Sequence, residues 1–249
     1  MLLIPNYFKK NGFFIYSSHK TATQSLLRTF HENGYDAIHC HTLQNLVRHN
    51  THLNNKPFIT LKQHVLRHIH DFVDTHHQKL NIITVIRNPK QRLISSFFQS
   101  YYNDEITFQS IPPEKTTIMM SSHTERIQVY CDKIASKSLP GRVESLDEMS
   151  LLFDIQLVDS LTKYEDYYYY ENNYVNIYVL DFDRLIQENI QYLNRVFKTN
   201  FDQYACDNIS TSKPYHQIYN TMKASISSHT HNMIVSQYHP FYFNAFTST

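Results

Sequence analysis

Phe13-Phe-Ile-Tyr-Ser-Ser-His-Lys-Thr-Ala-Thr-Gln-Ser-Leu-Leu27 is the stretch on which the reading of this chain turns. Phe13 to Tyr16 predicts a short buried strand. The polar run after it, with one lysine, predicts a tight loop, and a helix is expected over Thr23 to Glu32. A strand passing through a loop into a helix aims backbone N–H groups, a helix N-terminus and Lys20 at one point. Such a point binds an anion, most often a phosphate. The nucleotide-triphosphate loop G-x-x-x-x-G-K-[ST] depends on its glycines. This loop has none, which argues against an ATPase or GTPase.

A second segment has the same form. In Asn81-Ile-Ile-Thr-Val-Ile-Arg-Asn-Pro-Lys-Gln-Arg-Leu-Ile-Ser-Ser-Phe97 a strand ends at Arg87, Pro89 opens a helix, and Ser95 lies eight residues beyond the arginine. Strands are expected at Phe13 to Tyr16, Ala37 to His39, Phe58 to Leu61, Ile82 to Ile86 and Asn176 to Leu180. The intervening helices are expected at Thr23 to Glu32, Thr42 to His49, Leu66 to His76 and Pro89 to Tyr101. The first four strands alternate with helices, which predicts a parallel sheet covered on both faces. In such sheets ligands sit at the carboxyl ends of the strands, where both segments lie. Further on, an amphipathic helix is expected over Thr116 to Ser136 and a turn at Pro140-Gly141. Ser145-Leu-Asp-Glu148 reads as a capping box.

Together the two segments resemble the sulfotransferases that use 3′-phosphoadenosine-5′-phosphosulfate (PAPS). Lys20-Thr-Ala-Thr-Gln-Ser25 looks most like the K-T-A-S-T-S loop of the glycosaminoglycan uronyl 2-O-sulfotransferases. Asn176 to Glu188 adds a late strand, an acidic pair and a helix of the same kind. The resemblance implies an α/β, P-loop-like three-layer sandwich: a central, mostly parallel sheet of about five strands with flanking helices. One domain over residues 1–249 is expected. It also implies that Lys20, Thr21, Ala22, Thr23, Gln24 and Ser25 hold the 5′-phosphosulfate of PAPS, and that Arg87 and Ser95 hold its 3′-phosphate. Ser210-Thr-Ser-Lys-Pro-Tyr215 is similar to a loop that closes over the nucleotide, which would add Lys213. The acceptor implied is a carbohydrate hydroxyl, and the nucleotide product is 3′,5′-ADP (PAP).

Sulfuryl transfer needs charge on the leaving phosphate and a base for the acceptor hydroxyl. Lys20 suits the first role; its plain alternative is an exposed lysine beside an ordinary helix cap. His64 suits the second, because an imidazole titrates near neutrality and the residue follows a predicted strand. It precedes Arg87 by twenty-three residues, as the family's base precedes its arginine. Lys62-Gln-His64 also resembles the Lys-Thr-His of the cytosolic sulfotransferases, which implies that Lys62 shares the site. With 16 histidines in the chain, the plain reading of any one is a solvated or structural group. His64 and His68 are spaced i, i+4 as zinc ligands on a helix can be. No H-E-x-x-H pattern or cysteine pair accompanies them, so no metal is expected. Arg92 reads as a solvated face. Tyr164, Tyr167 to Tyr170 and Tyr174 read as half-buried packing, with a sugar platform as the alternative.

Composition narrows the class. The 249 residues and 41% hydrophobic content suffice for a sizeable core. Lys+Arg 23 against Asp+Glu 22 gives no bulk attraction for nucleic acid or acidic membrane. Cys40, Cys131 and Cys206 are odd in number and far apart, as reduced thiols are. No signal peptide or membrane span is evident, so a cytoplasmic location is expected and the sequon at Asn208 carries no meaning. Two rival functions stay open: a nucleotide-dependent kinase, for which neither a glycine loop nor a Mg²⁺-binding acid is evident, and an inactive nucleotide-binding protein of polysaccharide assembly.

Overall fold

The computed structural model describes residues 12–18, 21–43, 56–92, 94–95, 144–205, 219–220, 232, 236 and 238–246. The expected helix over Thr116 to Ser136, the Pro140-Gly141 turn and nearly all of the helix expected at Thr42 to His49 lie outside these residues. So do Lys20, Lys213, Cys131, Cys206 and Asn208. The chain divides into two compact units, one formed by residues 1–86 and 143–207, the other by 87–142 and 208–249.

The first unit is α/β. Its elements are β1 (Phe13–Tyr16), α1 (Thr23–Glu32), β2 (Ala37–Cys40), α2 (Phe58–His76), β3 (Leu80–Ile86), α3 (Ser145–Phe153), α4 (Leu157–Ser160), β4 (Thr162–Lys163), β5 (Tyr167–Glu171), β6 (Val175–Asp181) and α5 (Phe182–Phe197). The six strands form one mixed sheet in the order β2-β1-β3-β6-β5-β4. β2, β1, β3 and β6 pair in parallel. β5 and β4 add an antiparallel edge.

Side-chain alternation divides the core between two faces. Phe13, Ile15, Ala37, Ile83, Val85 and Leu180 share one cluster with Leu26 and Phe30 of α1 and with Leu185, Tyr192, Leu193 and Val196 of α5. Tyr16 and Thr84 point to the other face, where they bond Glu148 and Ser145 of α3. Lys62 of α2 bonds Asp154, the residue that caps α3, so these two helices cover that face.

Three sequence expectations are corrected. Phe58 to Leu61 is not a strand but the first turn of α2. Leu61, Lys62, Val65, Ile69 and Phe72 are its buried residues, and that stripe of period three to four runs unbroken into the turn, overriding the β-like look of the short apolar run. The capping box at Ser145 does not form. Glu144 is the N-cap, no side chain caps the helix, and Ser145 Oγ lies 2.6 Å from Thr84 Oγ1 instead. The sheet is mixed rather than mostly parallel. Its antiparallel edge was hidden in the tyrosine run, whose residues Tyr167 to Tyr170 are all half-buried.

In the second unit residues 89–92 and 94–95 are helical. Asn88 Oδ1 accepts from Lys90 N at 3.0 Å, so Asn88 caps the helix that Pro89 opens. A short helix α6 (Phe241–Asn244) lies near the C-terminus. Among the described residues no helix is long and apolar enough to cross a membrane.

Candidate functional site

β1 delivers the chain into a loop folded by its own hydroxyls. Ser17 Oγ donates to Val85 O at 2.9 Å and accepts from Val85 N at 3.0 Å, tying the end of β1 to β3. Thr21 Oγ1 lies 2.8 Å from Ser17 Oγ and donates to Ser18 O at 2.6 Å. Thr21 is buried, so its hydroxyl shapes the loop before it serves any ligand. Ala22 then takes the left-handed conformation, φ 58 and ψ 25, as the N-cap of α1, with no side-chain cap bond. The first intrahelical bond is Leu26 N to Ala22 O at 3.0 Å. The first-turn amides of a helix have no intrahelical acceptor, and this first turn holds no acidic residue. Thr23 and Ser25 are buried here and Gln24 is exposed.

Three further groups meet this edge that sequence reasoning missed. His41 Nδ1 lies 2.8 Å from Ser17 O. A carbonyl only accepts, so this nitrogen carries the proton and Nε2 keeps its lone pair while the ring is neutral. His41 Nε2 is 3.3 Å from His39 Nε2. Burial, then His41, pushes His39 down to about 4, so the His39 ring is neutral near pH 7. Glu144 Oε2 accepts from Ser18 Oγ at 2.8 Å. One helical turn on, Glu148 accepts from the Tyr16 hydroxyl and from Leu43 N at 3.2 Å. Burial raises both the Glu148 carboxyl and the Tyr16 phenol, the latter further through Glu148. His39-Cys-His41 was visible as alternation at the end of an expected strand. Glu144 and Glu148 stand more than a hundred residues from the loop, and no local signal links them to it.

His64 is not at a strand end. It sits in the second turn of α2 and is half-buried. His70, six residues on, stacks on Tyr174 at 4.2 Å, and Tyr174 O accepts from the first amide of β3 at 2.9 Å. Six helical residues rise about 9 Å, near the middle of a sheet whose seven-residue strand spans roughly 20 Å. The ground for setting His64 beside the loop is therefore gone. Lys62 is buried and paired with Asp154.

In the second unit Arg87 Nη2 donates to the Tyr219 hydroxyl at 3.1 Å. Arg92, expected on a solvated face, is buried, and its Nη2 donates to the Tyr238 hydroxyl at 3.4 Å. Ser95 is half-buried and helical. Among the described residues no group of three or more His, Cys, Asp and Glu is placed to hold a metal ion. Compared with known proteins, the chain matches no family model, no curated protein and no solved structure.

Proposed function

We propose that the chain is a PAPS-dependent sulfotransferase acting on a carbohydrate hydroxyl, with a P-loop-like α/β fold. One observation carries the reading: an uncapped helix N-terminus behind a left-handed Ala22, at the carboxyl end of a strand inside the parallel part of the sheet. Backbone amides presented this way suit the 5′-phosphosulfate, and Lys20 supplies charge to the leaving phosphate. The resemblance assigns the 3′-phosphate to Arg87 and Ser95 and a further nucleotide contact to Lys213.

The base is His41 rather than His64. His41 is held by Ser17 O in the tautomer whose Nε2 accepts, and His39 Nε2–H is the donor that faces it in the resting loop. His41→Gln is expected to cut kcat by about 10²–10⁴ with PAP affinity retained. Lys20→Ala should cost orders of magnitude in ³⁵S transfer from PAPS to a glycan pool. If His64→Gln abolishes turnover while His41→Gln does not, the base is His64 after all.

Ligand-dependent melting tests the cofactor. At a hundredfold excess over Kd a ligand contributes ~2.7 kcal/mol, and each kcal/mol is worth roughly 2–4 °C in a chain of this size. PAP should therefore raise Tm by about 5–10 °C. ADP should do far less, and Arg87→Ala should reduce the PAP shift to that of ADP. No response to any adenine nucleotide from folded protein would overturn the proposal. A second reading has one observation in its favour. Glu144 places a carboxylate against Ser18 of the loop, as a Mg²⁺-dependent kinase would require. Mg²⁺–ATP giving the largest shift would select that reading.

A further inference from the structure

α2 carries two imidazoles that the nucleotide reading leaves unused. His64 and His68 are four residues apart, on one face and one turn from each other. Their ring centroids lie 4.6 Å apart at 82°. His64 Nε2 and His68 Nδ1 are both buried, and neither has a hydrogen-bond partner. A buried polar atom without a partner is left without the hydrogen bonds water gave it, and such atoms occur only a few times per hundred residues in native proteins. Here two fall on adjacent turns of one helix. The next turn brings Asp71, whose carboxylate is 3.9 Å from His68 Nδ1.

We infer that His64 and His68 form a chelate for a divalent transition-metal ion of the Zn²⁺, Ni²⁺ or Cu²⁺ type, with Asp71 as the adjoining oxygen donor. An i, i+4 histidine pair on a helix is an established way to present two imidazoles to one metal. Nitrogen–metal bonds of about 2.0–2.1 Å at tetrahedral angles set neighbouring donor atoms roughly 3.3–3.4 Å apart. Asp71 needs to close only a few tenths of an ångström, and its side chain is 55% exposed and free to turn. As placed, the three residues are not yet a three-donor group, so the two histidines hold the ion and the carboxylate joins on binding. Metal binding requires neutral imidazole. Burial holds both rings below their ordinary value; His68 and Arg67 add to this at His64, while Asp71 opposes it at His68. One bound ion would satisfy both orphaned nitrogens at once. The inference stands apart from the sulfotransferase reading, since no residue of the anion loop takes part.

The test is calorimetric titration of the full chain, without added histidine tags, with ZnCl₂. The wild type should show one site tighter than the background of its other histidines. His64→Gln and His68→Gln should each weaken that site at least tenfold, Asp71→Asn a few-fold, and His70→Gln, on the same helix, not at all. Zn²⁺ should raise the wild-type Tm and leave that of the His64→Gln/His68→Gln protein unchanged. Histidine ring resonances of the wild type give a readout that needs no variant to fold. Two rings must shift together at one equivalent of Zn²⁺, ahead of the rest. Titrations of the double variant that superimpose on the wild type would overturn the assignment. So would a loss of the site in His70→Gln equal to that in His64→Gln, or ring shifts spread evenly over all histidines.

Discussion

Ala22 holds φ 58 without being glycine. The left-handed region costs an L-residue roughly 1–2 kcal/mol, and glycine would remove that strain at an entropic cost of about 0.5–1 kcal/mol. Ala22→Gly is therefore expected to be neutral or to stabilise by up to about 1 kcal/mol in urea unfolding. Ala22→Val should destabilise by more than that, because a branched Cβ meets the backbone more severely. Tyr16 offers a second test. Its hydroxyl is one of two donors to Glu148, so Tyr16→Phe leaves a buried carboxyl half satisfied. A loss of about 1–3 kcal/mol is expected. Adding Glu148→Gln should recover part of it, since the two changes remove one interaction. Equal and additive losses would mean that the pair does not interact.

At the scale of elements, the sequence made the loop and its flanking strand and helix legible because their signals are local. α1 runs over Thr23–Glu32 as its apolar spacing requires, and β1 over Phe13–Tyr16. β5 was hidden because Tyr167 to Tyr170 gives no polar–apolar alternation, although the strand has two half-buried faces. Tyr169 and Tyr178 pair across the strands with ring centroids 5.1 Å apart. That contact is invisible until the register is known. The start of α2 failed for a different reason: Phe58-Ile-Thr-Leu has the composition of a strand, and only Val65, Ile69 and Phe72 downstream reveal the helical stripe. The α2–α3 contact carries its own prediction. Lys62 is buried but its partner Asp154 is largely exposed, so the ion pair is worth little. Lys62→Met should keep the buried stem and remain within about 1 kcal/mol of the parent in urea unfolding.

For the whole molecule, pH is the broadest probe. His39 lies at about 4 in the folded chain, below its ordinary 6.5. Between these values the unfolded chain binds a proton that the folded one refuses. Stability from this group is complete above about pH 6.5 and is lost as pH falls towards 4. Glu148 and Asp181 are shifted upwards and act in the opposite sense, losing stability as pH rises. The informative quantity is thus a difference: Tm of the parent should fall more steeply than that of His39→Gln between pH 6.5 and 4. Parallel curves would exclude a buried neutral imidazole. The order of the sheet has a separate consequence for how the chain is made. β3 pairs with β6 along its whole length, yet residues 87–174 must leave the ribosome between them. Through that interval β1, β2 and β3 exist as a nascent sheet whose β3 edge lacks its partner, and closing so long a connection is slow. A translating ribosome would therefore carry a sticky intermediate of this chain, and a holding chaperone should be found on it until Asp181 has emerged.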